Sequence, residues 1–262
     1  MSATNSGQIS SPQDPSLSPL AYLAFLLLLT GLWQLLTLWV GRDVLPGPGE
    51  TLGRLWSMLS SGSLNKHLIE TFSAFGMALI IAVITGVLMG AILGAHRLSG
   101  EVAEPMLVAL YSIPKVTLYP IMLLLFGLGM AAKVAFGVIH GVIPICIFTM
   151  SAVRAIPKKY IRAGQAMQLN PRQMFWKVYM PACVPEVFSG LRIGFSLTLL
   201  GTLIGEMFAS RRGIGHLLLQ AMENHNLLDI TALALMLITL AASVGFALLS
   251  MDRKLAGRAA LA

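Results

Sequence analysis

Charge is what this sequence has least of. Asp, Glu, Lys and Arg make up only 11% of its 262 residues. Soluble globular domains carry about 25% charged residues, so an ordinary soluble enzyme is excluded. Cysteine is scarce too. Cys146 and Cys183 lie in or beside apolar segments, too few for a disulfide scaffold, and read as small packing groups. No GxxxxGKS or GxxxxGKT segment occurs, so the chain has no P-loop for a nucleotide. A Ser-His-Asp set, an HExxH helix and a carboxylate pair are missing as well. His67, His96, His140, His216 and His225 show no metal-ligand spacing, and His140 within an apolar stripe reads as packing. No catalytic residue, metal site or cofactor is expected in this chain, and the 15 scattered methionines read as packing.

Apolar residues take the place of charge. They reach 56% of the chain, with a mean hydropathy of +0.79. The fold class expected is an all-α membrane protein of about six transmembrane helices. A spanning helix needs about 20 apolar residues, each rising about 1.5 Å across a core about 30 Å thick. Six runs qualify: Leu20–Val40, His67–Ala95, Pro105–Leu128, Val134–Val153, Val184–Phe208 and Leu227–Met251. Pro114 and Pro120 break the third, and Pro144 lies inside the fourth. Residues 1–18 are polar, lack Lys and Arg, and read as a disordered cytoplasmic tail. Residues 19–252 form the membrane domain, with a polar loop at 154–183, and 253–262 form a second cytoplasmic tail. The first run is a retained span, because it lacks a basic leader and a small-residue cleavage site.

The net charge of +7 sits in short loops between apolar runs, so it orients a membrane protein and does not point to nucleic acid. With six spans, ten Lys and Arg fall on one side, among them Arg97, Arg154, Lys158, Lys159 and Arg162. Six fall on the other: Arg42, Arg54, Lys66, Lys133, Arg211 and Arg212. The excess places both termini and the 154–183 loop in the cytoplasm. Glycines recur four apart at Gly86/Gly90/Gly94, Gly137/Gly141, Gly190/Gly194 and Gly201/Gly205. Such stripes let helices approach closely, either within the chain or across a homodimer seam.

The loop holds the longest polar stretch within the apolar region. Pro157 suits the first turn of a helix, and Lys158–Leu169 has helical apolar spacing. Asn170 can cap a second short helix over Arg172–Tyr179, with Pro171 at its first position, ending near Met180-Pro181. A hairpin of two helices is more than a connection needs, and it offers a docking surface for a soluble partner.

In the spans, Lys115 beside Pro114 needs a reason to be there, since a mid-membrane charge costs roughly 2.5–3.5 kcal/mol. It either attracts an anion along a translocation path, helped by Tyr111, Ser112, Thr117 and Tyr119, or pairs with Glu206 or free carbonyls. Glu206 either lines a gate or pairs at the interface with Arg211 or Arg212.

Several segments resemble one family. Arg162-Ala163-Gly164, Gln168 and Val178-Tyr179-Met180-Pro181 stand at the EAA, Gly and hydrophobic-x-Leu-Pro positions of the coupling loop in permease subunits of binding-protein-dependent ABC importers. Arg162 and Gln168 replace that pattern's Glu and Gly. Leu45–Leu52 (LPGPGETL), Ser112–Gly129, Gly190–Ser210 and Arg211–Leu218 (RRGIGHLL) resemble the permeases for nitrate, sulfonate, taurine, bicarbonate and pyrimidine precursors, in the same order. The resemblance implies a multi-pass permease in the bacterial inner membrane, paired with a second copy. It further implies two cytoplasmic ATPase subunits that hold ATP and Mg, and an external solute-binding protein. Arg162, Ala163, Gly164, Gln165, Gln168, Leu169 and Asn170 become the candidates for coupling to the ATPase. The cargo implied is a small anion such as a sulfonate, nitrate, bicarbonate or carboxylate. The competing reading is a self-contained secondary transporter or channel, which would need inverted repeats or coupling acids in the spans.

Overall fold

The computed structural model describes residues 19–259, with side chains from Leu20 to Ser250. The 1–18 tail expectation lies outside the described residues. The elements in order are α1 (Pro19–Val40), α2 (Pro48–Ser60), α3 (Asn65–Ala95), α4 (Arg97–Ser112), a 3₁₀ turn (Lys115–Leu118), α5 (Tyr119–Phe126) and α6 (Met130–Arg154). They continue as α7 (Lys158–Ala166), α8 (Pro171–Met174), a π turn (Phe175–Tyr179), α9 (Met180–Ala209), α10 (Ile214–Glu223) and α11 (Leu227–Ala259). Helix therefore carries through most of the segment read as a C-terminal tail.

The chain divides into two units between Glu50 and Thr51. In the first, α1 exposes Leu23, Leu26, Leu27 and Leu28, as a span in lipid must. Gly41 ends it at φ +100, a conformation that favours glycine. Its N–H donates to the Thr37 carbonyl at 3.0 Å, and the Trp33 indole N–H donates to the Pro46 carbonyl at 3.1 Å.

In the second unit, α6 lies between α3 and α9 along most of its length. Lipid offers no hydrophobic drive to bring helices together, so close packing must do it. The sequence supplies small residues where the backbones meet. Residues Ala74, Ala78, Ala82, Gly86, Gly90 and Gly94 form one buried line down α3. A Cβ on Gly90 would lie 2.5 Å from the Cys146 carbonyl oxygen, and one on Gly86 would lie 2.8 Å from Ile145 Cγ2. Gly137 and Gly141 of α6 meet Ala78 and Ala82 of α3 and Thr202 and Thr198 of α9. Gly190 and Gly194 meet Phe148 and Ile145, while Gly201 and Gly205 meet Phe136, His140 and Lys133. All four glycine stripes are thus consumed inside one chain.

The two ends of this core are tied differently. At one end, Leu64, Ile214 and Leu233 form an apolar cluster joined by Met58. Here the Arg54 guanidinium grips Asp229 in the first turn of α11, at 2.5 and 3.2 Å. At the end carrying α7, Arg154 closes α6 by bonding Glu104 at 2.7 Å and the Arg97 carbonyl at 3.3 Å.

Among the described residues, five helices are long and apolar enough to cross a membrane, and α4 with the 3₁₀ turn and α5 gives a sixth if bent pairs count as spans. The third span, expected over Pro105–Leu128 with breaks at Pro114 and Pro120, is two helices meeting at 86°. Pro114 forces Ile113 out of the helical region, to ψ 132, so α4 must stop at Ser112.

Candidate coupling surface and translocation path

α7 is a short polar helix whose end is closed by a Schellman motif. Leu169 N–H donates to the Gly164 carbonyl at 3.1 Å, and Gln168 N–H to the Gln165 carbonyl at 2.9 Å. That geometry puts Gln168 in the left-handed region, at φ 53. This is the position where the resembled loop pattern has glycine, and the backbone explains why. Arg162, Ala163, Gln165, Gln168 and Asn170 are exposed, Leu169 is half-buried, and Gly164 is buried. Gly164 therefore faces inward. A Cβ there would lie 2.7 Å from Met174 Sδ, so its smallness seats α7 on the next helix. Asn170 opens that helix with a reciprocal cap. Gln173 N–H donates to Asn170 Oδ1 at 2.8 Å, and Asn170 N–H to Gln173 Oε1 at 3.1 Å.

The second helix does not end near Pro181, as the sequence led us to expect. Pro171–Ala209 is one 39-residue helix that runs from the loop through the span. The π turn makes this possible. Met180 N–H donates to the Phe175 carbonyl, five residues back. A proline ring inside a regular α-helix collides with the carbonyl four residues earlier, here that of Lys177, and one widened turn relieves it. The loop is thus α7 plus the protruding foot of a spanning rod.

The break between α4 and α5 gathers Tyr111, Ser112, Lys115, Thr117 and Tyr119, and the last four turn their polar groups to backbone carbonyls. Lys115 Nζ donates to the Tyr111 carbonyl at 3.0 Å and lies 4.9 Å from the centre of that ring. Ser112 Oγ donates to the Val108 carbonyl, Thr117 Oγ1 to the Pro114 carbonyl, and Tyr119 Oη to the Phe208 carbonyl at 2.6 Å. Pro114 has no N–H to donate, and at this break Lys115 brings its ammonium to the Tyr111 carbonyl in the last turn of α4. Tyr111 also lines an open groove with Arg192, Ser196 and Leu197 of α9 and Gly245 and Leu249 of α11.

Glu206 does not join that group, and it pairs with neither Arg211 nor Arg212. Its side chain is fully buried near the end of α9. Oε2 accepts from Thr71 Oγ1 at 2.8 Å and from Gly215 N–H at 3.0 Å, and Thr71 Oγ1 in turn accepts from Ile214 N–H at 2.9 Å. Gly213, at φ +124, packs on the carboxylate, and its N–H donates to His67 Nδ1 at 3.1 Å. The RRGIG turn is clasped to α3 and α9 by this one carboxylate. Beside it, Lys133 is fully buried and donates to Glu70 at 2.7 Å. Lys133 is therefore not the loop cation that its place between apolar runs suggests. The signal that locates it is Glu70, on the face of α3 that meets α6, but pairing them required knowing which helices touch.

A multi-pass helical membrane protein with a polar helix standing out from one end is the architecture of a transport permease. The comparisons agree. Residues 82–260 match the family described as the binding-protein-dependent transport system inner membrane component, and the chain belongs to that family. Among curated relatives, it is 26% identical over 220 residues to the nitrate import permease NrtB of Synechococcus elongatus, covering 80% of this chain and 79% of that one. It is 34% identical over 176 residues to the riboflavin transport permease RibX of Chloroflexus aurantiacus, covering 67% and 65%. Among solved structures, the inward-facing MetNI methionine ABC transporter matches with a TM-score of 0.63 at 19% identity, over 73% of this chain and 95% of that one, and shares its fold. The protein is an ABC importer permease, and the reading as a self-contained secondary transporter or channel is set aside.

Proposed function

We propose that this permease works as a pair of copies, takes its cargo from an external solute-binding protein, and is driven by two ATPase subunits that dock on α7. Both termini and α7 then face the cytoplasm, in line with the excess of Lys and Arg on that side, ten to five once the buried Lys133 is left out. ATP and Mg belong to the partner chains. The observation that carries this reading is the join between α7 and the 39-residue rod, because a push on α7 has a rigid route through the membrane. Arg162, Ala163, Gln165, Gln168 and Asn170 offer the contact surface, while Gly164 sets the seat of α7 behind it.

The cargo is a small solute, and we assign it to the anion class. Lys115 supplies a cation at the helix break, and a nitrate permease is among the relatives. The riboflavin relative marks the competing cargo class. Tyr111, Ser112, Lys115, Thr117 and Tyr119 line the path in this reading, and Glu206 acts from the clasp.

The test is ATP hydrolysis by the complex of this chain with its ATPase, in wild type and in Arg162→Glu/Gln165→Glu. Both side chains are exposed and the cap of α7 uses neither, so the fold stays intact. We expect turnover to fall at least about tenfold, the loss that 1.4 kcal/mol of contact energy produces. Unchanged turnover in a stable complex would overturn the docking assignment.

A further inference from the structure

One amphipathic helix has no task in the transport reading. From Thr51 to Ser60, α2 turns Thr51, Arg54 and Met58 toward the body of the second unit. Thr51 bonds Thr231 at 3.3 Å, Arg54 grips Asp229, and Met58 joins the cluster of Leu64, Ile214 and Leu233. The opposite face carries Leu52, Trp56 and Leu59, which are 57%, 73% and 43% exposed. Their spacing of four and three puts them in one stripe.

Two observations identify what covers that stripe. The first is depth. Asp229 lies in the first turn of α11 and Leu64 immediately precedes α3, both of them candidate spans. The partners of α2 therefore hold it level with the ends of spanning helices, where hydrocarbon gives way to headgroups. The second is chemistry. The exposed side of residues 51–60 bears no charge, because Arg54, the lone ionisable group there, is spent on Asp229. Ser57 and Ser60 are the exposed polar side chains, and Ser60 donates to the Ser57 carbonyl. A face without charge has little with which to recognise a soluble protein, but it suits acyl chains. Tryptophan in particular settles at the headgroup boundary, with its ring in the apolar layer and its N–H toward water.

We propose that α2 lies in the membrane interface at the α10 end of the molecule, with Leu52, Trp56 and Leu59 sunk among the lipid chains. The helix is then a float. It fixes the depth of the turn between Ser60 and Asn65 and, through Arg54, that of the start of α11.

The test is fluorescence of Trp56 alone, with Trp33, Trp39 and Trp176 replaced by Phe, in vesicles of phosphatidylcholine and phosphatidylglycerol. We expect lipids with a doxyl group at carbon 5 to about halve the emission, a label at carbon 12 to act more weakly, and aqueous iodide to have little effect, as for a side chain about 5–10 Å below the headgroups. Strong quenching by iodide with none by either lipid would overturn the proposal in favour of an aqueous face. Protection from all three would overturn it in favour of a protein cover, such as a second copy. Should the triple replacement not fold, a nitroxide on Trp56→Cys in a Cys146→Ala/Cys183→Ala chain reads the same depth. There, more frequent collisions with oxygen than with an aqueous nickel chelate support the proposal, and the reverse order sinks it.

Discussion

Gln168 carries the clearest single-residue consequence. Its backbone sits at φ 53 because the Schellman bonds of Gln168 and Leu169 require it, and a side chain there is strained by about 1 kcal/mol relative to glycine. Gln168→Gly is expected to stabilise the α7 terminus by about 0.5–1 kcal/mol, slowing amide exchange at Met167–Leu169 about two- to fivefold. Exchange that speeds up would show that the Gln side chain holds the turn by contacts of its own. At this scale the sequence was partly legible. The Asn170 cap followed from residue type and spacing alone, since a cap involves only four consecutive residues. Glu206 was readable as a residue needing a partner but not as one bound to Thr71, which lies 135 positions away.

Among the elements, the π turn holds the most information. Proline spacing suggested a stop near Pro181, yet the chain inserts one wide turn and continues. Removing Val178 would restore regular helix, turning α8 and α7 by about 100° relative to α9 and drawing them in by about 1.5 Å. We expect this deletion to leave the chain inserted in the membrane while abolishing solute-stimulated ATP hydrolysis in the assembled complex. Normal stimulation would mean that the register between foot and span is immaterial. The spans themselves were legible because each is one long apolar run. The 86° bend was half legible, since Pro114 announces a break but its angle depends on what α4 and α5 pack against.

At the level of the whole molecule, the glycine stripes change meaning. Read from sequence, any of them was eligible to join two copies. In the fold, Gly86, Gly90 and Gly94 receive Ile145, Cys146, Thr149, Met150 and Val153 of the same chain. Gly90→Leu is therefore expected to cost about 3 kcal/mol or more and to unfold the single chain, seen as loss of a monodisperse peak in detergent and as rapid proteolysis. A variant that stays folded but loses only its pairing with a second copy would contradict this. In the proposed pair of copies, the seam uses other surfaces. No local pattern distinguishes a stripe that meets its own chain from one that meets another, which is why topology had to decide it.

The 39-residue helix from Pro171 to Ala209 is also far longer than a membrane is thick. At about 1.5 Å per residue it spans about 58 Å, against a hydrocarbon core of about 30 Å. With its far end held by Glu206, it is a lever whose long arm, in the proposed orientation, stands in the cytoplasm. A tilt of 10° about that hold would sweep the foot through about 10 Å, yet a point halfway along through only about 5 Å. Mechanical advantage runs from the broad stroke of the foot to the short, forceful displacement inside the bilayer, so the helix acts as a reduction gear cut from a single piece of chain.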